Sequence, residues 1–163
     1  MSARLVLRRP RHADVQAILD IHRDPLACAH NPSDALATRA EAEELLGRWD
    51  EHWRRHGFGY WVVREAGLPL GFCGLKVMRL RDEPVLNLFY RFAPAHWGRG
   101  VASEAASTIV RWAATRRPGQ RVIARVRPEN VASARVAVRA GLVRAEHLDD
   151  EGADGLDWIF VSA

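Results

Sequence analysis

Residues 86–106, LNLFYRFAPAHWGRGVASEAA, constrain this chain more than any other stretch: an apolar strand-like run, a break at Pro94, a turn holding Gly98 and Gly100, and a helix. Such a break frees backbone groups. Glycine lets the chain turn tightly and lets a ligand approach the backbone with no Cβ in the way. The helix start that follows offers unpaired N–H groups and a partial positive charge, together a ready site for phosphate oxygens. Arg99 can add a charged donor. The glycine pattern taken alone favours a plain connecting turn, so a further meaning depends on what else the chain supplies.

Periodicity places the segment within a series of alternating elements. Residues 4–8 read as a short strand, and 14–22 carry Val15, Ile18, Leu19 and Ile21 at helical spacing up to the Asp24-Pro25 stop. After an Asn31-Pro32-Ser33-Asp34 turn, Thr38 and Glu41 form a capping box that opens a helix running to His56-Gly57. That helix carries Trp49 and Trp53 on one side, a spacing that suits core packing, and Trp112 and Trp158 take the same reading. Residues 60–65 and 70–78 form a hairpin around the 66–69 turn, 85–92 a third strand, 100–116 a helix with a small-residue face, and 121–126 a strand. A helix over 131–140 ended by Gly141, then strands over 144–148 and 156–161, close the chain. The expected order is β-α-α-β-β-β-α-β-α-β-β, an α/β fold with a mixed, mostly antiparallel sheet flanked by helices.

Nothing marks a domain boundary or an internal repeat, and 163 residues suffice for one core without metal or disulfide staples. The apolar fraction of 48% comes in no run near the ~20 residues of a membrane span. The N-terminal residues lack the apolar core and cleavage site of a secretory leader. Cys28 and Cys73 form neither a metal-spaced cluster nor a disulfide framework, so a reducing cytoplasm, no metal and no membrane are expected. A pI near 9.8 could suggest nucleic acid, but the arginines are dispersed rather than gathered into a stripe, which argues against that partner. Of the 24 basic residues only Lys76 is lysine, a bias we read as codon usage.

The second element is the strand at 121–126 followed by Arg127-Pro128-Glu129-Asn130-Val131-Ala132-Ser133, a short helix and Gly141-Leu142. With both segments in view the chain resembles a GNAT-superfamily acetyltransferase along nearly its whole length. It is most similar to the branch that includes ribosomal-protein N-terminal acetyltransferases. The family's R/Q-x-x-G-x-G/A turn corresponds to Trp97-Gly98-Arg99-Gly100-Val101-Ala102, with Trp97 departing at the first position. The branch's N-x-x-S pattern corresponds to Asn130 to Ser133.

The resemblance implies a single GNAT-like domain over 1–163 that uses acetyl-CoA and an amine acceptor, a small molecule or a protein N-terminus, with a homodimer allowed. It implies cofactor contacts at Phe92, Trp97, Gly98, Arg99, Gly100, Val101, Ala102, Ser103, Asn130 and Ser133. Asn130 would meet the pantetheine arm and Ser133 would lie near the thioester sulfur. Plain helix capping explains the same two residues, and the two roles are compatible. A strand splayed after Tyr90 would leave amides free to polarise the thioester carbonyl. Catalytic candidates are Ser133, Tyr90 and Asn87. Two departures matter: the family tyrosine four positions beyond Ser133 is Ala137 here, and the glutamate three residues before the strand tyrosine is Asn87. The general base is thereby left among His22, His30, Glu104 and Asp157. Glu104 also suits the helix dipole and a pair with Arg99. A non-catalytic CoA-binding or interaction module is the competing reading.

Overall fold

The computed structural model describes residues 4–163. The domain expected over 1–163 therefore begins with three residues outside the described ones. Among these residues the elements run β1 (Val6–Arg8), α1 (Val15–His22), α2 (Arg39–His56), β2 (Tyr60–Glu65), β3 (Leu68–Leu80), β4 (Glu83–Phe92), α3 (Val101–Arg116), β5 (Val122–Val126), α4 (Val131–Arg139), β6 (Val143–Arg144), β7 (Asp150–Gly152) and β8 (Gly155–Val161). The sheet order is β1-β2-β3-β4-β5-β8-β6, with β7 paired on β8. Every pairing is antiparallel except β4 with β5.

Local chemistry explains the boundaries. Thr38 Oγ1 accepts from Glu41 N at 3.2 Å while Glu41 Oε1 accepts from Thr38 N at 2.9 Å, so both ends of the capping box close and α2 starts at Arg39. The β3–β4 turn is tighter than the sequence suggested, placed on Arg81 and Asp82 in the left-handed region, which brings Glu83 and Pro84 into β4. Pro84 is tolerated there because its nitrogen faces the β5 side, and β5 begins only opposite Leu86.

The C-terminal reading needs correction. In place of a strand over 144–148, β6 covers two residues and a 3-10 turn follows at Glu146–Leu148. Asp149 is responsible. Its carboxylate takes both Arg144 guanidinium nitrogens at 2.6 Å and the Ile159 amide at 3.0 Å, so a side chain substitutes for the ladder where the strand would have continued. The chain then forms β7, which the sequence reading did not contain.

Core side chains divide between the two faces of the sheet. Leu75, Leu86, Leu88 and Val122 pack with Ala105, Ile109 and Ala137 of α3 and α4 on one face. Val62 and Phe72 pack with Ile18, Leu19 and Trp49 of α1 and α2 on the other. Trp49 is thus a core residue. Trp53 is half-buried, donating its indole N–H to the Tyr60 carbonyl at 2.9 Å beneath the Arg9 guanidinium. No helix of the described residues is long and apolar enough to cross a membrane.

Candidate functional site

The parallel pairing of β4 with β5 consists of only Leu86 with Val122 and Asn87 with Ile123. Beyond that point β4 stays on β3 to Phe92, while β5 stays on β8, so the sheet opens into a wedge. The split therefore begins after Asn87, three residues earlier than the sequence reading placed it. Antiparallel amides alternate in direction. Ala93 N donates to Leu70 O at 3.0 Å on the β3 side, and Leu86 N donates to Arg121 O at 2.9 Å on the β5 side. The Tyr90 and Phe92 amides share the direction of Leu86, which at their level faces the open wedge.

The wedge lies within a cleft of about 1240 Å³. At one end of it stands the N-terminus of α3. Gly98 and Gly100 adopt φ of +80° and +76°, a region that L side chains rarely enter. A Cβ at either would meet nothing within 4 Å, so backbone conformation rather than crowding demands glycine here. Gly100 is the N-cap and carries no side-chain cap; the first helical bond runs from Glu104 N to Gly100 O at 3.0 Å. The amides of Val101, Ala102 and Ser103 thus have no intrahelical partner, and all three residues line the cleft. Arg135 and Arg139 of α4, one helical turn apart, line the same cleft. The sequence reading missed them, although their i,i+4 spacing on a helix beside the N-x-x-S segment was a usable signal.

Arg99 does not join this group. Its guanidinium pairs with Glu65 at 2.5 Å, and Glu104 pairs instead with Arg4 at 3.2 Å, so the suggested Arg99–Glu104 pair is replaced by two others. The reason is directional: Glu104 lies on the side of α3 next to β1, away from the cleft. Trp97 is 51% exposed and donates its indole N–H to Phe92 O at 2.9 Å, tying the turn to the end of β4.

At the throat, Asn130 caps α4 by accepting from Ser133 N at 3.1 Å. The Tyr90 hydroxyl donates to Ser133 O at 2.7 Å and accepts from Ser133 Oγ at 3.0 Å. Burial raises the Tyr90 phenol above its ordinary value, against a smaller opposing effect of the Ser133 hydrogen bond. Asn87 is not part of this pair. Side chains alternate along a strand, so residues three apart point to opposite faces. Tyr90 packs with the α3/α4 face, whereas Asn87 lies on the α1/α2 side, where its Oδ1 is buried and has no hydrogen-bond donor among the described residues.

That side forms the second arm of the cleft. Tyr60 stacks on Phe89 at 4.5 Å and meets Trp49 edge-on at 5.4 Å. Arg91, 8% exposed, lies over Phe89 and pairs with Asp34 at 3.0 Å. His22 donates its Nδ1–H to Ile18 O at 2.8 Å, and burial, reinforced by the Arg91 charge, lowers its pKa to about 4. It is neutral at pH 7. His30 lines the arm, and Asp157, 8% exposed, is held by Arg125 at 3.0 Å. The roof is the 23–38 loop, fastened to the β7–β8 turn where Asp154 accepts from Ser33 N at 3.0 Å and Ser33 Oγ at 2.6 Å.

Comparison with known proteins agrees with this architecture. The sequence matches the acetyltransferase (GNAT) domain family over residues 4–143. The chain belongs to that family. The YkkB protein of Bacillus subtilis is 33% identical to this GNAT chain over 109 residues, which cover 66% of the chain and 63% of that relative, a little under two thirds of its length. An acetyltransferase from Agrobacterium tumefaciens superposes with a TM-score of 0.84 at 24% identity, covering 100% of this chain and 92% of that one. The ribosomal L7/L12 alpha-N-protein acetyltransferase RimL, solved in complex with coenzyme A, gives 0.81 at 16% identity over 98% and 94% of the two chains. At these identities the two structures speak for the shared GNAT fold.

Proposed function

We propose that this GNAT domain transfers an acetyl group from acetyl-CoA directly to a primary amine in a ternary complex. The observation that carries the reading is the alignment, along one cleft, of the open β4–β5 wedge with the uncapped N-terminus of α3. A wedge with two amides turned inward suits a thioester and its pantetheine arm, and three bare helix amides just after two positive-φ glycines suit a pyrophosphate. The RimL neighbour, solved with coenzyme A, supports the same use of the fold.

When bound, acetyl-CoA would supply an activated acyl group. The chain's own residues supply the rest. The amides of Val101, Ala102 and Ser103, with Arg135 and Arg139 nearby, hold phosphate charge. The Tyr90 and Phe92 amides stabilise negative charge developing on a carbonyl oxygen, because fixed dipoles in a narrow cleft need no reorganisation. Asn130 positions the first turn of α4 and so fixes Ser133. The Ser133 hydroxyl is too weak an acid to protonate a thiolate unaided; joined to Tyr90, it forms a two-hydroxyl unit that can orient the sulfur and pass a proton to it. Ala137, where the family resemblance has a tyrosine, brings no hydroxyl to that face. Asn87, on the opposite face, offers a carbonyl oxygen to an incoming N–H. The acceptor enters the arm under the 23–38 loop, as a small amine or a protein N-terminus.

Calorimetric titration with acetyl-CoA, followed by thiol release across a panel of amines and N-terminal peptides, tests the reading. Binding with amine-dependent thiol release is the expected result, and no binding at millimolar ligand would overturn it. A second reading, a CoA-binding module without turnover, is favoured by the mutual saturation of the Tyr90 and Ser133 hydroxyls. It predicts binding with no thiol release from any acceptor.

A further inference from the structure

Twenty-four residues of this chain are Lys or Arg, and Lys76 is the sole lysine. It does not stand on an indifferent surface. Lys76 lies on β3 directly opposite Asn87 of β4, and both line the acceptor arm of the cleft. The pair shares the α1/α2 face at the level where β4 and β5 part. Among the described residues no carboxylate holds the Lys76 ammonium in an ion pair. Asn87 Oδ1 beside it is buried and has no donor among those residues. Facing Cα atoms in such a pair are about 4.5–5.5 Å apart, well within the span of a four-carbon side chain, so Nζ can reach Asn87, beside which the wedge opens.

We propose that Lys76 is an acetyl acceptor within its own chain. This rests on the acetyl-CoA reading above. The distinction between lysine and arginine is chemical: a guanidinium stays protonated in proteins, whereas an ammonium can lose its proton and become a nucleophile. Asn87 Oδ1 accepts one N–H of the neutral amine and leaves the lone pair free. Nζ attacks the thioester carbonyl carbon, a C–N bond forms as the C–S bond breaks, the thiolate departs as CoA thiol after taking up a proton, and one proton from the original ammonium is released to solvent. The product is Nζ-acetyl-lysine, uncharged, at the entrance of the acceptor arm.

Because the chain has one lysine, the experiment is direct. The full chain is incubated with acetyl-CoA, intact mass and peptide mapping follow the modification, and calorimetry in the same preparation follows CoA binding. One acetyl group should appear on Lys76, at a rate per molecule unchanged across a tenfold range of chain concentration. K76R should bind CoA and gain no acetyl group at the mapped peptide. Asn87→Leu should slow the modification about tenfold, as expected for one lost hydrogen bond to the attacking amine. CoA binding without acetylation of Lys76, a rate proportional to chain concentration, or a rate no faster than that of the chain unfolded in urea would each overturn the proposal while leaving the cofactor site intact. Failure to bind CoA would overturn both.

Discussion

His22 is 2% exposed, lies between Trp49 and Phe72, and uses Nδ1 on the Ile18 carbonyl. Burial disfavours its charged form, Arg91 adds to that, and the Ile18 carbonyl and Asp34 oppose it, so that its pKa falls from 6.5 to about 4. A histidine whose folded pKa is depressed binds protons more readily when unfolded, so acid favours unfolding. The stability is complete above the unfolded pKa and is lost as pH falls from about 6.5 towards 4. At about 1.4 kcal/mol per pH unit the full loss is about 3.5 kcal/mol, and about 2 kcal/mol is gone by pH 5. Urea unfolding at pH 7 and pH 5 measures it. His52, also shifted down by burial, contributes in the same window, so the His22 share is the difference between the natural chain and His22→Leu. That variant should lose about 2 kcal/mol less between the two pH values. Carboxylates held low by arginine, such as Asp149 by Arg144, release their stability at lower pH and do not interfere. Equal pH dependence in the two chains would refute the reasoning.

Gly100→Ala places a Cβ at φ +76°; it should cost about 1–2 kcal/mol in thermal or urea melts and weaken CoA binding, without any steric clash. Tyr90→Phe and Ser133→Ala remove the two ends of one hydrogen-bonded unit, so their effects on turnover should be strongly non-additive in a double-mutant cycle; additive losses would separate them. Asp154→Ala removes both hydrogen bonds between the 23–38 loop and the β7–β8 turn, and should raise the acceptor KM while the CoA affinity stays the same. Arg135→Ala with Arg139→Ala should weaken CoA binding and reduce its salt dependence, since both changes remove charge from the phosphate arm.

Local chemistry in the sequence was enough to place α2, whose capping box and Gly57 stop are written in consecutive residues, and β2, bounded by turn residues on both sides. The turn before α3 was legible for the same reason: Gly98, Gly100 and the bare helix start are set by nearby backbone. Features set by distant pairing were not legible. The split after Asn87 depends on how far β5 follows β4, and the Ser33–Asp154 contact joins residues 121 apart. β7, with the sequence Asp-Glu-Gly, has no strand propensity of its own and exists because β8 offers it an edge. The separation of Asn87 from Tyr90 was available in principle, since an odd spacing on a strand means opposite faces.

In the proposed function, backbone amides of two elements, the end of β4 and the start of α3, form one acetyl-CoA site. Amide NMR during a titration with CoA addresses those groups individually. The amides of Tyr90, Phe92, Val101, Ala102 and Ser103 should shift together with a single binding constant. Saturable binding that leaves those five unmoved, or that shifts only residues under the 23–38 loop, would contradict the account.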